Sequence, residues 1–390
     1  MLLKEGNRMN GIIIGAGIAG LSTAVALKLK GIDVDVYEAS TELKAIGAGI
    51  LVPPNAMAVL AHYGLADEVK SCGKELNALQ VSNFRGEPIS TTPSSYDNNR
   101  MPFKTVAVHR GKLQEILLRK VSKERIHLGY QFSGVESAND GVQVSFANEQ
   151  QCTAEFMIGA DGLRSRVRQF VMPDAALRNA QQVCWRGVAN IQLPDRWNAQ
   201  LTELWGNGTR FGFVPIGPDQ VYWYATVTTK LSHGFELASA AESLRKVFSS
   251  YINCVSDIIE STPQDLIIEG SLYDIEPLKH WFSKRVLLLG DAAHAITPNL
   301  GQGGALAIED SYQIAEKLVR YSDPSIAFST FQKARQSRVN RVSNASWKIG
   351  QVANWRSPLL CSARNQLLSK LAPRMAKSQS DWLYHFEVGA

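Results

Sequence analysis

A short apolar strand, Gly11–Ile14, runs straight into Gly15-Ala16-Gly17-Ile18-Ala19-Gly20, and this spacing constrains the fold more than any other feature. Backbone can approach a diphosphate at a helix N-terminus only where side chains are missing, which Gly-x-Gly-x-x-Gly provides. The Ala- and Leu-rich stretch from Leu21 to about Lys30 then reads as a helix, with Gly31 as its stop. Ile32–Tyr37 alternates apolar and polar residues as a strand should, and it ends on Glu38. Strand, glycine turn, helix, strand and acid make a βαβ dinucleotide-binding unit. An acid at this position accepts hydrogen bonds from an unphosphorylated ribose, as in FAD or NAD.

Two later strand ends carry similar turns. Phe156–Ile158 leads into Gly159-Ala160-Asp161-Gly162-Leu163-Arg164-Ser165-Arg166-Val167-Arg168. Its arginines either meet phosphates or form the solvated basic face of a helix after a tight turn. Arg285–Leu289 leads into Gly290-Asp291-Ala292-Ala293-His294, then Pro298-Asn299-Leu300-Gly301-Gln302-Gly303-Gly304. A helix opening near Gly304 presents free N–H groups and a positive dipole end, suited to an anionic ring or a phosphate. His294 reads either as a base or as a histidine packed beside a cofactor.

Residues 73–101 turn to Ser, Thr, Asn and Pro with short β-like runs, and His109–Lys120 reads as helix. Residues 126–158 alternate like antiparallel strands. A β-rich region covers 180–230, with Arg210–Val214 and Val221–Val227 flanking a hairpin turn at 215–219. Residues 239–260 read as helix, as does nearly everything from 304 to about 371. This order predicts an α/β fold: a discontinuous Rossmann-type cofactor domain (1–72, 102–172 and 272–345), an inserted mostly β substrate domain (73–101 and 173–271), and C-terminal helices (346–390).

At 390 residues, 45% hydrophobic and 20% charged, the chain has the composition of a globular protein with a large core. Its net charge of +5 is spread out, with no basic stripe for nucleic acid, and fits an anionic cofactor or substrate better. The five cysteines are scattered without a CxxC pair, which argues against a disulfide framework or a zinc site and for a reducing compartment. No apolar run is long enough to span a bilayer or act as a signal core, so a cytoplasmic location is expected. Met9 is a candidate natural start.

The trio GxGxxG…E, GADGxxSxVR and GDAAHxxxPxxGQGGxxAxED, running from Met9 to about Leu371, resembles the class A flavoprotein monooxygenases, the p-hydroxybenzoate hydroxylase-like family. That family includes salicylate hydroxylases, FAD-dependent urate hydroxylases and zeaxanthin epoxidases. The resemblance implies FAD, with Gly15, Ala16, Gly17 and Gly20 at its pyrophosphate, Glu38 at the adenosine ribose and Arg110 at the pyrophosphate and ribitol. Asp161 and Gly162 match a motif linked to both FAD and the nicotinamide cofactor, and Asp291 would meet the ribityl hydroxyls. Pro298 would lie near the flavin, the backbone of Gly301, Gly303 and Gly304 would face its pyrimidine edge, and the Gly47-Ala48-Gly49 loop would flank a mobile isoalloxazine.

The implied reaction uses NADH or NADPH, bound transiently because no second GxGxxG is present, and O2. A flavin C4a-hydroperoxide then hydroxylates a small aromatic or heteroaromatic molecule. Arg210 and Tyr222 match the urate hydroxylase pair and would orient the substrate. Trp185, Arg186, Trp205, Phe211, Phe213, Trp223 and Tyr224 either join them or pack the sheet. The final helical stretch resembles the tails of salicylate hydroxylase-like and epoxidase-like members. Epoxidation or oxidation of a larger, isoprenoid-like substrate is the alternative, as is a non-catalytic flavin-binding redox protein. A monomer or homodimer is expected, with no nucleic-acid or integral-membrane partner.

Overall fold

The computed structural model describes residues 9–43, 48–95, 103–138, 140–232 and 240–389. Asn10–Ile14 lies in parallel between Asp33–Glu38 and Phe156–Gly159, and Phe156–Gly159 pairs in parallel with Val286–Leu288. Asn10–Ile14, Phe156–Gly159 and Val286–Leu288 are near-continuous apolar runs, as expected where both faces of a sheet are covered, whereas Asp33–Glu38 alternates. Parallel pairing sends all their C-terminal ends to one edge. There the Gly15 N–H donates to the Tyr37 carbonyl (2.7 Å), Ala160 N–H to Ile14 (2.8 Å), and Leu289 N–H to Gly159 (2.9 Å). The three glycine turns are therefore neighbours in space. Ile18–Leu29 and Gly303–Arg320 pack on each other beside this sheet.

The stretch 126–158 departs from the antiparallel expectation at both ends. Ile126–Leu128 adds in parallel to Asp33–Glu38, and Phe156–Gly159 joins the same parallel sheet. Only Phe132–Ala138, Gly141–Phe146 and Gln151–Ala154 form an antiparallel meander. Alternation marks a strand with one buried face but carries no information about the direction of its partner. The helix expected over 239–260 is two helices, Ala240–Val247 and Cys254–Glu260. The helical stretch expected from 304 to about 371 is three helices, Gly303–Arg320, Pro324–Ala353 and Pro358–Tyr384. Ser357, just before Pro358, is held extended (φ −68°, ψ 121°), as the proline ring requires.

A second sheet holds seven strands in the order Ile268–Ile275, Leu177–Asn190, Gln220–Thr228, Thr209–Pro215, Gln200–Trp205, Ala78–Asn83, Pro88–Pro93. All neighbours are antiparallel except Gln200–Trp205 with Ala78–Asn83. Its period of two separates two surfaces. Trp185, Phe211, Phe213, Trp223 and Ala225 pack into a core with the helices Ala240–Val247 and Cys254–Glu260. Their sequence neighbours Arg186, Tyr222 and Tyr224 face the other way, into a cavity. Gly73–Glu75, expected with this sheet, instead pairs with Val106–His109, which also pairs with Gly49–Val52. The strand Ile268–Ile275 runs across the boundary expected at 271/272. Among the described residues, no helix is long and apolar enough to cross a membrane.

Candidate active site

A cavity of about 520 Å³ is bounded by the turn edge of the parallel sheet on one side and by the second sheet on the other. The three glycines of the first turn do different work there. Gly15 has φ +106°, and a Cβ on it would fall 2.5 Å from the Ala160 carbonyl oxygen. A Cβ on Gly20 would fall 1.9 Å from the Gly15 carbonyl oxygen, so this glycine lets the helix press onto the turn. Gly17 caps the helix Ile18–Leu29 with extended backbone, lines the cavity, and a Cβ on it would meet nothing within 4 Å. Two glycines thus close the fold and one leaves space open at a helix N-terminus, as a bound pyrophosphate requires.

The acid and the cation of the expected cofactor site flank this turn. The Glu38 carboxylate accepts from Ala16 N–H (2.8 Å) and Ser40 N–H (2.9 Å), which fixes it beside the turn. Arg110 opens the helix Arg110–Leu118 and lines the cavity, and Gln114 of that helix donates to the Ala16 carbonyl at 2.7 Å. The Arg110 backbone N–H donates to the Ala48 carbonyl at 3.0 Å, holding Gly49 at the cavity wall. Gly47 lies outside the described residues.

In the second motif Arg164 and Arg166 are exposed, as a solvated basic face after a tight turn requires, whereas Asp161 and Arg168 take roles that neither sequence reading anticipated. Asp161 does not line the cavity. Its carboxylate accepts from Ser165 Oγ (2.5 Å), Arg166 N–H (2.8 Å) and Val167 N–H (3.2 Å), so it caps the short helix Arg166–Val171. Gly162, at φ +78°, does line the cavity. Arg168 meets neither phosphate nor bulk solvent. Its buried guanidinium donates to the carbonyls of Leu163, Asp291 (3.4 Å) and Ala292 (3.2 Å), bracketing the second turn to the third.

In the third motif, Gly290 takes φ +59° and swings Asp291 into the cavity. The Asp291 side chain is open to the cavity; the protein packed around it nonetheless lifts its carboxyl pKa above the ordinary value, while His294, Arg110 and Arg168 act against the rise. His294 is buried with Nε2 2.5 Å from Asp310 Oδ2 and does not reach the cavity. Asp310 also accepts from the Gly290 N–H (3.3 Å) and from Arg335 Nε (2.7 Å). Its neighbour Glu309 accepts from Asn55 (2.6 Å) and from Arg338 (2.6 Å). The acid pair ending the motif is therefore the fastener that fixes the turn to Pro324–Ala353. Pro298, Gly301, Gly303 and Gly304 line the cavity where the helix Gly303–Arg320 begins with its first N–H groups free of intrahelical partners.

Across the cavity, the two residues expected to orient a substrate part company. Tyr222 lines it. Arg210 lies behind the wall, 2% exposed, and each nitrogen of its guanidinium has a partner. It donates to Glu203 (3.0 Å), Asn299 (2.8 Å), Thr226 (3.1 Å) and Gln182 (3.4 Å). Glu203 does line the cavity and also accepts from Trp205 Nε1 (3.0 Å) and Tyr224 Oη (2.8 Å). Burial pushes the Tyr222 and Tyr224 phenols well above their ordinary pKa, so both stay protonated at neutral pH.

Of the residues expected at the cofactor, Gly17, Gly49, Arg110, Gly162, Asp291, Pro298, Gly301, Gly303 and Gly304 thus reach the cavity. Gly15, Ala16, Gly20, Glu38, Ala48 and Asp161 support it from behind. Glu203 and the C-terminal Leu383 and Tyr384 line the cavity and were not anticipated. A shared face with Leu201 and Trp205 was the available signal for Glu203; nothing local marks the other two.

A family model described as an FAD binding domain matches residues 8–346, and the chain belongs to that family, within the class A flavoprotein monooxygenases. It is 34% identical over 361 residues to the aurachin C monooxygenase/isomerase of Stigmatella aurantiaca, covering 93% of this chain and 94% of that one. It is 32% identical over 375 residues to the 2-heptyl-3-hydroxy-4(1H)-quinolone synthase of Pseudomonas aeruginosa, covering 95% and 96%. The solved structure of Klebsiella pneumoniae HpxO with FAD and uric acid superposes with a TM-score of 0.89 at 29% identity, covering 98% of each chain.

Proposed function

We propose that this monooxygenase takes electrons from NADH or NADPH and uses O2 to hydroxylate an electron-rich carbon of a heteroaromatic ring that carries an apolar chain. The observation that carries this reading is the two-sided cavity. One wall is the glycine-rich cradle, which fits a flavin dinucleotide by its open space at Gly17 and its free helix N-termini. The other presents Tyr222 and Tyr224 above apolar surface from Leu79, Val81, Leu201, Val214 and Leu272. The names of the two curated relatives above point to the same chemical class.

Bound FAD would supply the activated oxygen. The chain would do the rest. Gly17 and Arg110 would hold the pyrophosphate, Glu38 the ribose and Asp291 the ribityl hydroxyls, while N–H groups at Gly303 and Gly304 would stabilise negative charge on the ring. Asp161, which caps a helix, would act through Gly162. Leu383 and Tyr384 would help keep water out, which matters because activated oxygen is otherwise lost to side reactions. In this division of labour the parallel sheet with its helices serves the cofactor, the seven-stranded sheet the substrate, and the end of Pro358–Tyr384 the closure of the cavity.

The test is a screen of the flavin-loaded protein for NADH and NADPH oxidation stimulated by alkylated quinolones, aromatic acids and purines. A stimulated rate with a product heavier by one oxygen atom supports the proposal. Colourless protein that takes up no FAD, or flavoprotein stimulated by no heteroaromatic compound, overturns it. Stimulation by urate alone would favour the second reading, suggested by the likeness to HpxO; against it stands Arg210, whose guanidinium is already engaged by Glu203 and Asn299.

A further inference from the structure

Among the described residues, two arginines and two carboxylates line the cavity: Arg110, Arg186, Glu203 and Asp291. Three of them have company. Asp291 and Arg110 attract each other at the cofactor end, and Glu203 is bound to Arg210, Trp205 and Tyr224. Arg186 stands apart. Its guanidinium makes no hydrogen bond or ion pair to a described residue, and its buried Nε has no acceptor. A guanidinium drawn out of bulk water without an acceptor is unfavourable, and an incoming oxygen relieves it.

The position of Arg186 is rigid. It sits mid-strand in Leu177–Asn190, held between Tyr224 of Gln220–Thr228 and Ile268 of the opposite neighbour. Tyr222 lies two residues from Tyr224 on the same face, and a Cβ on Gly49 would come within 2.5 Å of the Tyr222 side chain, so its ring lies where the two walls meet. The Tyr222 hydroxyl likewise has no partner among the described residues. The wall thus offers one cation and one phenol hydroxyl, both uncommitted, above an apolar floor.

Resting on the function proposed above, we propose that Arg186, assisted by the Tyr222 hydroxyl, is the residue that selects the substrate, by donating to a negatively charged or strongly polarised oxygen conjugated with the ring. The substrate class this defines is an oxo- or hydroxy-heteroaromatic, such as a 4-quinolone, with its alkyl chain on the apolar residues. Such an oxygen feeds electron density to the adjacent ring carbon, the one an electrophilic oxygen attacks, so anchoring it also positions the reacting carbon.

The experiment uses flavin-loaded wild type, R186Q and R186K, titrated with 2-heptyl-4-quinolone and with 2-heptylquinoline, which lacks the ring oxygen. Binding is read from the change in flavin absorbance. Wild type is expected to prefer the quinolone by roughly tenfold to a hundredfold, the scale of one charge-assisted hydrogen bond. R186Q should lose that preference while binding 2-heptylquinoline as before, and R186K should recover part of it. In turnover, R186Q should raise KM more than it lowers kcat. Flavin content should match wild type, which shows that the variants fold. The proposal is overturned if wild type binds both probes equally or neither, or if R186Q keeps the preference. Loss of flavin binding or of NAD(P)H oxidation in wild type itself would instead count against the function on which it rests.

Discussion

At the scale of single residues, what decides each role is the space or the partner a side chain finds. Gly17 and Gly20 look alike in the sequence, yet a Cβ meets nothing at the first and the Gly15 carbonyl oxygen at 1.9 Å at the second. Gly20→Ala should therefore unfold the turn, lowering stability by about 3 kcal/mol or more on the scale of severe overpacking, seen as a fall in melting temperature. Gly17→Ala should melt like wild type but bind FAD at least ~10-fold more weakly, because the new methyl occupies the open side of a helix N-terminus; equal flavin affinity would show that the pyrophosphate lies elsewhere. Arg210→Met removes the cation facing Glu203, with Arg210 2% and the Glu203 side chain 12% exposed. Breaking such a pair by one partner costs about 3–5 kcal/mol, so the variant should unfold at markedly lower urea, whereas the double variant with Glu203→Gln should regain much of the loss. If Arg210→Met is as stable as wild type, the ion pair is not what holds the cavity wall.

At the scale of elements, strands and helices next to one another in the chain were legible, and those that depend on distant partners were not. The first βαβ unit, the glycine turns and the 210–227 hairpin come from local pattern, and each stands where its residues predict. Ile126–Leu128 was read as antiparallel because its alternation says nothing about Asp33–Glu38, the strand it joins. Arg210 was favoured over Arg186 on its likeness to the urate hydroxylase pair, and nothing local to either strand tells the two apart. Both lie on β-strands beside aromatics, and only the pairing of Gln200–Trp205 with Thr209–Pro215 places Glu203 against Arg210 and leaves Arg186 without a counterpart. The end of the last helix adds a wall that no motif announced. Arg338 donates to the Trp382 carbonyl (2.8 Å) and the Leu383 carbonyl (2.9 Å), clamping that end to the Glu309 cluster. Removal of residues 381–389 should open the cavity without loss of flavin, read as more hydrogen peroxide and less product per NAD(P)H consumed; unchanged coupling would show that this end does not seal the chamber.

At the scale of the molecule, the buried cluster behind the third turn sets how stability follows pH. Burial acts to raise the Glu309 and Asp310 carboxyls, but Arg335 and Arg338 around the first, and His294 and Arg335 around the second, hold both below the ordinary range. A carboxyl with a depressed folded-state pKa stabilises fully above its unfolded value, near 4, and loses that contribution as pH falls through the depressed value. The melting temperature should therefore change little on this account between about pH 5 and 7 and fall steeply below about pH 4. Glu309→Gln should flatten part of that fall while lowering stability at neutral pH. A variant with the wild-type acid slope would assign it to other carboxylates.

The interleaving of the parallel sheet carries a cost during synthesis. Asn10–Ile14 leaves the ribosome long before Phe156–Gly159 exists to flank it, and Phe156–Gly159 in turn waits for Val286–Leu288. Until then the nascent polypeptide carries an apolar strand with one bare flank, the kind of edge to which other copies adhere. Ribosome-bound fragments that stop short of Val286 should stick to one another or to chaperones, while those that extend beyond Arg320, with the strand and its covering helix both released, should not.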